Sequence, residues 1–139
     1  MERTVILIKP DAVLGSVVGE IITRLEKQGF RIVAAKFLRL PDDIVAKWYE
    51  HHRNKPYFPS IKAYMTSTPI FAMLWQGDNI IAKVREICGP TDSRKASKGT
   101  IRGDFGTDIQ ANAIHASENS EAAGRETDLM FNPSEIHEY

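Results

Sequence analysis

The chain has 139 residues, 42% hydrophobic and 26% charged, and its 18 basic and 18 acidic side chains cancel to zero net charge. This length fits one domain over residues 1–139 that buries its own core, and zero net charge argues against a nucleic-acid scavenger with no sequence preference. The lone Cys88 supports neither a disulfide framework nor a cysteine zinc site; no apolar run approaches the roughly 20 residues of a bilayer span, and Met1-Glu-Arg-Thr lacks a signal-peptide pattern, so a soluble cytoplasmic protein without a membrane partner is expected.

Thr4-Val-Ile-Leu-Ile8 is a continuous apolar run that reads as a buried central strand, ended by Lys9-Pro10-Asp11 because proline cannot donate to a ladder. Val17, Val18, Ile21, Ile22 and Leu25 recur at helical spacing, with Glu20, Arg24 and Lys27 on the other face and Gly29 at the expected stop. Phe30 to Leu40 reads as a second strand, Pro41-Asp-Asp43 as a turn and helix start, and Ile44 to His52 as a short helix. The connector Asn54 to Pro59 carries two aromatics, Ile61 to Met65 can form one or two helical turns, and Pro69 to Trp75 is a third apolar strand. Asn79 is placed to cap a helix through Ile80, Ile81, Val84 and Ile87, closed by Cys88-Gly89-Pro90. Gly89 to Asp108 has no clear period and is long for a loop, which favours a functional role. Ala111 to His115 is the fourth strand and Ser117 to Asp128 the final helix. This order fits an α+β sandwich with helices on one sheet face, closest to a ferredoxin-like βαββαβ core around a four-stranded antiparallel sheet.

Charge is unevenly placed. Between Lys83 and Arg102 six basic residues stand against two acidic ones, whereas from Ser117 to Tyr139 six carboxylates face one arginine. Such asymmetry suits a localised anion pocket. His115 stands where a strand-like run meets a helix start, and the spacing predicts its ring beside the free N–H groups of that helix N-terminus, which bind phosphate oxygens. Lys9 at a strand end, Arg85 on a polar helix face, Thr91 and Arg102 have bland readings one by one as surface or turn residues. Together they form a donor set for phosphates, with forked guanidinium groups and a point-charge ammonium. No Walker A or kinase glycine-rich loop is present. An imidazole is a competent nucleophile at neutral pH, and its phosphorylated form can pass the phosphoryl group onward. Glu126 or Glu118 on the following helix is placed to hold one ring nitrogen. His51, His52 and His137 read as surface histidines.

Lys9-Pro-Asp11, Gly19-Glu-Ile-Ile22, Gly99-Thr-Ile-Arg-Gly-Asp-Phe105 and Asn112-Ala-Ile-His-Ala-Ser117 together resemble the nucleoside diphosphate kinase family, almost end to end. The resemblance implies a phosphotransferase that moves the γ-phosphate of ATP or another NTP to NDPs and dNDPs. It would do so by a ping-pong route through a phosphohistidine on His115, maintaining NTP and dNTP pools. It further implies that Lys9, Tyr49, Arg85, Thr91, Arg102 and Asn112 contact phosphate and sugar, that Ser117 and Glu126 support the histidine, and that Tyr57 stacks on the base with Ile109 on its other side. Tyr57 stands where the family usually has phenylalanine. Mg²⁺ would be bound mainly through the nucleotide phosphates with no dedicated protein ligands, and the chain would form a homo-oligomer, a hexamer or tetramer assembled from dimers.

Several positions depart from the family pattern. Ala12 replaces a glycine, Gly15-Ser16 stands where Arg-Gly is common, Ala116 and Glu118 replace glycine and aspartate, and Thr127-Asp128 replaces an apolar stretch. Ser93 and Lys98 stand where prolines are frequent, which predicts a less rigid loop. Two other readings compete: a catalytically silent nucleotide-binding relative, against which the complete set of phosphate contacts argues, and an RNA-binding ferredoxin-like module, which lacks the aromatic strand it would need.

Overall fold

The computed structural model describes residues 1–139. Its strands are β1 (Glu2–Ile8), β2 (Arg31–Leu38), β3 (Ile70–Gly77) and β4 (Ile114–Ala116). Its α-helices are α1 (Pro10–Leu14), α2 (Val18–Glu26), α3 (Asp42–Trp48), α4 (Phe58–Met65), α5 (Ile80–Cys88), α6 (Ile101–Phe105) and α7 (Ser120–Met130). The strands form one antiparallel sheet in the order β2-β3-β1-β4, the expected ferredoxin-like arrangement. With α2 between β1 and β2, and α5 between β3 and β4, each crossover carries the chain from a central strand to an edge strand. None of the helices is long and apolar enough to cross a membrane.

The apolar run in β1 occupies the sheet centre because its side chains are buried on both faces. Val5 and Leu7 enter one core with Trp48 of α3, Met65 of α4 and Met130 of α7. Ile6 and Ile8 enter the other with Ile21 and Leu25 of α2 and Ile80, Val84 and Cys88 of α5. Helices therefore cover both sheet faces rather than the one face expected from sequence. The segment between β2 and β3 and the end of α7 close the second face, as an unbroken apolar strand requires. β2 is an edge strand with a register shift between Ile32 and Ala34, and it leaves Phe37 56% exposed.

Local differences from the sequence reading have identifiable causes. Pro10 does more than end β1: it sits at the first position of α1, where its fixed φ and missing N–H suit a helix start. Asn79 precedes α5 but adopts a left-handed φ of 54° and makes no side-chain cap. The long segment after Gly89 holds a 3-10 turn at Ser93–Lys95 and the short α6.

Candidate active site

β4 pairs antiparallel with β1 so that His115 lies opposite Leu7, and the period of two sends its ring to the face covered by α3 and α7. There its Nε2 lies 2.9 Å from Glu126 Oε1. The same carboxylate oxygen accepts the Ser117 hydroxyl at 2.8 Å, and Ser117 Oγ in turn accepts the Val5 N–H at 3.0 Å. Glu126 is buried and the His115 side chain keeps 23% of its exposure. A carboxylate on Nε2 fixes that nitrogen as the protonated one, which leaves the Nδ1 lone pair for bond formation.

The expected helix-terminus environment is not what holds the ring. α7 begins only at Ser120, and Asn119 already caps its first turn by accepting the Ala122 N–H at 2.8 Å. The ring meets Glu126, further along the helix. Of the two carboxylates placed by the sequence, Glu126 makes the contact, and Glu118 is exposed. On another side the Trp48 ring meets the imidazole edge-on, with centroids 5.3 Å apart and planes at 70°.

Lys9 leaves the end of β1 and donates to Asn112 Oδ1 at 2.9 Å and to the Gln110 carbonyl at 2.7 Å. Asn112 Nδ2 donates onward to the carbonyls of Thr91 (2.9 Å) and Ile109 (3.2 Å). One lysine and one amide thus join β1, the approach to β4 and the loop after α5. Burial lowers the Lys9 pKa to about 8. Arg102 donates to the carbonyls of Gly89 (2.9 Å) and Ile114 (2.8 Å), and its buried Nε has no partner. Burial lowers its pKa, and the nearby Arg85 guanidinium pushes the same way. Lys9, Arg85, Thr91, Arg102 and Asn112 therefore converge, although they are spread over more than a hundred positions of sequence.

Tyr49 is partly buried, and burial together with the Glu126 charge raises its hydroxyl pKa. Tyr57 and Ile109 are both exposed, and a 3.5 Å hydrogen bond from Ser60 to Gln110 links the start of α4 to the loop beside Ile109. The two expected base-flanking residues thus sit on neighbouring segments at the rim.

The glycine spacing after Thr100 has a steric origin. A Cβ on Gly103 would lie 1.9 Å from the Ser97 carbonyl oxygen, and one on Gly106 would lie 2.0 Å from Ser93 Oγ. Thr100 caps α6 by accepting the Gly103 N–H at 3.0 Å. Ser93, at a frequent proline position, is buried here, while Lys98 is exposed.

Asp11, Tyr64 and Trp48 escaped the sequence reading as site residues. Asp11 Oδ2 accepts the Ala113 N–H at 2.9 Å, and its Oδ1 accepts the Tyr64 hydroxyl. Ala113 takes a φ of 72°, so this carboxylate anchors a left-handed residue two positions before His115. The aspartate following Lys9-Pro10 was the only signal for it; Tyr64 had none. A held imidazole, with Lys9 and Arg102 bonded to residues that shortly precede it and carboxylates committed to internal bonds, suits attack on a polyanion such as a phosphate chain.

A family model described as nucleoside diphosphate kinase matches residues 2–136. A nucleoside diphosphate kinase of Methanocorpusculum labreanum is 48% identical over 139 residues, covering 100% of this chain and 93% of the relative. Among solved structures, a Halobacterium salinarum nucleoside diphosphate kinase in complex with CDP superposes with a TM-score of 0.96 at 40% identity, covering 99% of this chain and 92% of that one. The Aquifex aeolicus nucleoside diphosphate kinase superposes with a TM-score of 0.92 at 41% identity, covering 97% and 98%.

Proposed function

Since the chain belongs to the nucleoside diphosphate kinase family and moves the γ-phosphate of NTPs to NDPs by a ping-pong route, we propose that His115 is the residue that carries the phosphoryl group. The observation that carries this reading is the Nε2 contact of 2.9 Å to buried Glu126. The Nδ1 lone pair attacks the γ-phosphorus, the bond from that phosphorus to the β-γ bridging oxygen breaks, and the electron pair leaves with the diphosphate. The ring gains positive character as the P–N bond forms, and Glu126 stabilises it through the Nε2–H. An oxygen of the incoming NDP then attacks the phosphohistidine, and the P–N electrons return to Nδ1. Ser117 keeps Glu126 aimed at the ring.

Lys9, Arg85, Thr91 and Arg102 bind the phosphates in this reading, and Tyr49 and Asn112 complete the phosphate and sugar contacts. The uncommitted, buried Arg102 Nε supports it, as does the depressed Lys9 pKa, since a desolvated ammonium gains most from a phosphate partner. Tyr57 and Ile109 would flank the base, accepting purines and pyrimidines alike because every base has a π-face.

No group of three or more His, Cys, Asp or Glu side chains is arranged to hold a metal, and the carboxylates Asp11 and Glu126 are committed to internal hydrogen bonds. Mg²⁺ would enter on the nucleotide, where it would neutralise phosphate charge and orient the chain of phosphates. The lone, buried Cys88 supports a cytoplasmic setting. Edge strand β2 with exposed Phe37 supports assembly into a homo-oligomer, a hexamer or tetramer of dimers; a monomer by light scattering would refute that assembly.

Incubation with γ-labelled ATP tests the catalytic assignment. An acid-labile, base-stable phosphoprotein that transfers its label to several NDPs, and that disappears in His115→Ala, is expected. A folded His115→Ala protein that still accepts label would move the nucleophile elsewhere.

A further inference from the structure

We infer that His52 is a positioning residue for base recognition, latching the Tyr57 hydroxyl so that the Tyr57 ring is a fixed stacking face before nucleotide arrives. The inference rests on the kinase reading above. Tyr57 immediately precedes α4 and is 47% exposed, so little packing restrains its ring. Its hydroxyl nevertheless lies 2.5 Å from His52 Nδ1, with the two rings 5.5 Å apart. A phenylalanine at this position would lack that hydroxyl.

His52 is itself anchored. It ends the 3-10 turn Glu50–His52, its N–H donates to the Tyr49 carbonyl at 2.8 Å, and its ring lies 6.5 Å from the Tyr49 ring. Tyr49 follows Trp48, which meets His115. The latch therefore ties an exposed ring at the rim to the framework that holds the nucleophile. A loose aromatic side chain loses rotamer freedom when a base stacks on it, whereas a latched one has lost it already, so binding is tighter for the same contact. The phenol donates to an Nδ1 without a proton and accepts from one that carries it, so either tautomer of the imidazole can hold the latch.

A double-mutant cycle with His52→Ala, Tyr57→Phe and the pair, reading the ADP Kd by calorimetry and the KM and kcat of phosphate transfer, decides the matter. Each single variant should weaken ADP about 2- to 10-fold, the range expected of one hydrogen bond. The pair should weaken it no further than either alone. KM should follow Kd while the kcat of His52→Ala holds, and His52→Ala should bind the base-free ribose 5-diphosphate as the native protein does. Additive effects in the cycle, or an equal loss for ribose 5-diphosphate, would overturn the latch. Native protein that binds ADP with the coupling intact yet transfers no phosphate would refute the kinase reading and leave the latch standing.

Discussion

Trp48 meets the imidazole of His115 edge-on at a centroid separation of 5.3 Å, while the second tryptophan, Trp75, lies in the core on the opposite sheet face. The indole is thus a neighbour of the ring proposed to take up the phosphoryl group. Adding ATP to nucleotide-free protein should change the tryptophan emission as the phosphohistidine forms, and adding NDP should reverse it. The change should persist when Trp75 is replaced by phenylalanine and vanish when Trp48 is. A signal that follows Trp75 instead would refute this assignment.

Glu126 is acceptor to both His115 and Ser117 through one oxygen. In Glu126→Gln the amide keeps the shape but loses the charge proposed to balance the developing imidazolium. A hydrogen bond to a charged group is worth about 1.5–3 kcal/mol, so kcat should fall about 10- to 100-fold. Stopped-flow measurement of the first half-reaction would test this, and an unchanged rate of phosphoenzyme formation would count against the role.

Ser117→Ala acts on stability by a separate route. Val5 is fully buried and its N–H is bonded to Ser117 Oγ at 3.0 Å. Losing that acceptor leaves a buried donor unsatisfied, at a cost of about 1–3 kcal/mol. Denaturant melts should show the loss with an unchanged m-value; full retention of stability would mean that another group takes the N–H.

Lys9 gives the pH dependence. Its folded pKa of about 8 lies below the ordinary 10.5 because of burial, so between these values the unfolded chain binds more protons and stability rises with pH across that window. With Lys9 as the proposed phosphate contact, nucleotide affinity should run the other way, since the free site loses its ammonium above about pH 8. Phosphate binding should restore that proton. Calorimetry of ADP binding near pH 8.5 in buffers of different ionisation enthalpy should register proton uptake, and none should be seen at pH 6.5. Equal uptake at both pH values would rule Lys9 out as the source.

Ser16 occupies a left-handed φ of 59°, whereas Gly15, one residue earlier, sits at an ordinary φ of −78°. The glycine is thus displaced by one position from the place where the backbone needs it. Ser16→Gly relieves a strain of about 1–2 kcal/mol but adds freedom to the unfolded chain worth about 0.4–1 kcal/mol. The net expectation is a gain between about 0 and 1.6 kcal/mol, and a rise in Tm of up to a few degrees by calorimetry. A fall in Tm would show that Ser16 contributes a contact that outweighs its strain.

Much of the fold was legible in one dimension. The Thr4–Ile8 run had to be a central strand because apolar residues at consecutive positions need burial on both faces, and the sheet order places it there. The same fact implied helices on both faces, a consequence that the element order alone did not bring out. Asn79 shows the opposite limit: a residue type suited to capping stands before α5 but adopts a backbone conformation that makes no side-chain cap.

By itself the sequence determined the order of the four strands and of the helices other than α1 and α6, pointed to His115 as the candidate on which chemistry centres, and set the cationic segment from Lys83 to Arg102. These are properties of residue type and spacing along the chain. Only the tertiary structure decided that Glu126 rather than Glu118 holds the imidazole, that Asp11 anchors Ala113, that Trp48 borders the ring and that His52 reaches Tyr57. Directional bonds of about 3 Å depend on which faces of separate elements are turned together. That is set by strand register and by packing against two cores, neither of which spacing along the chain encodes.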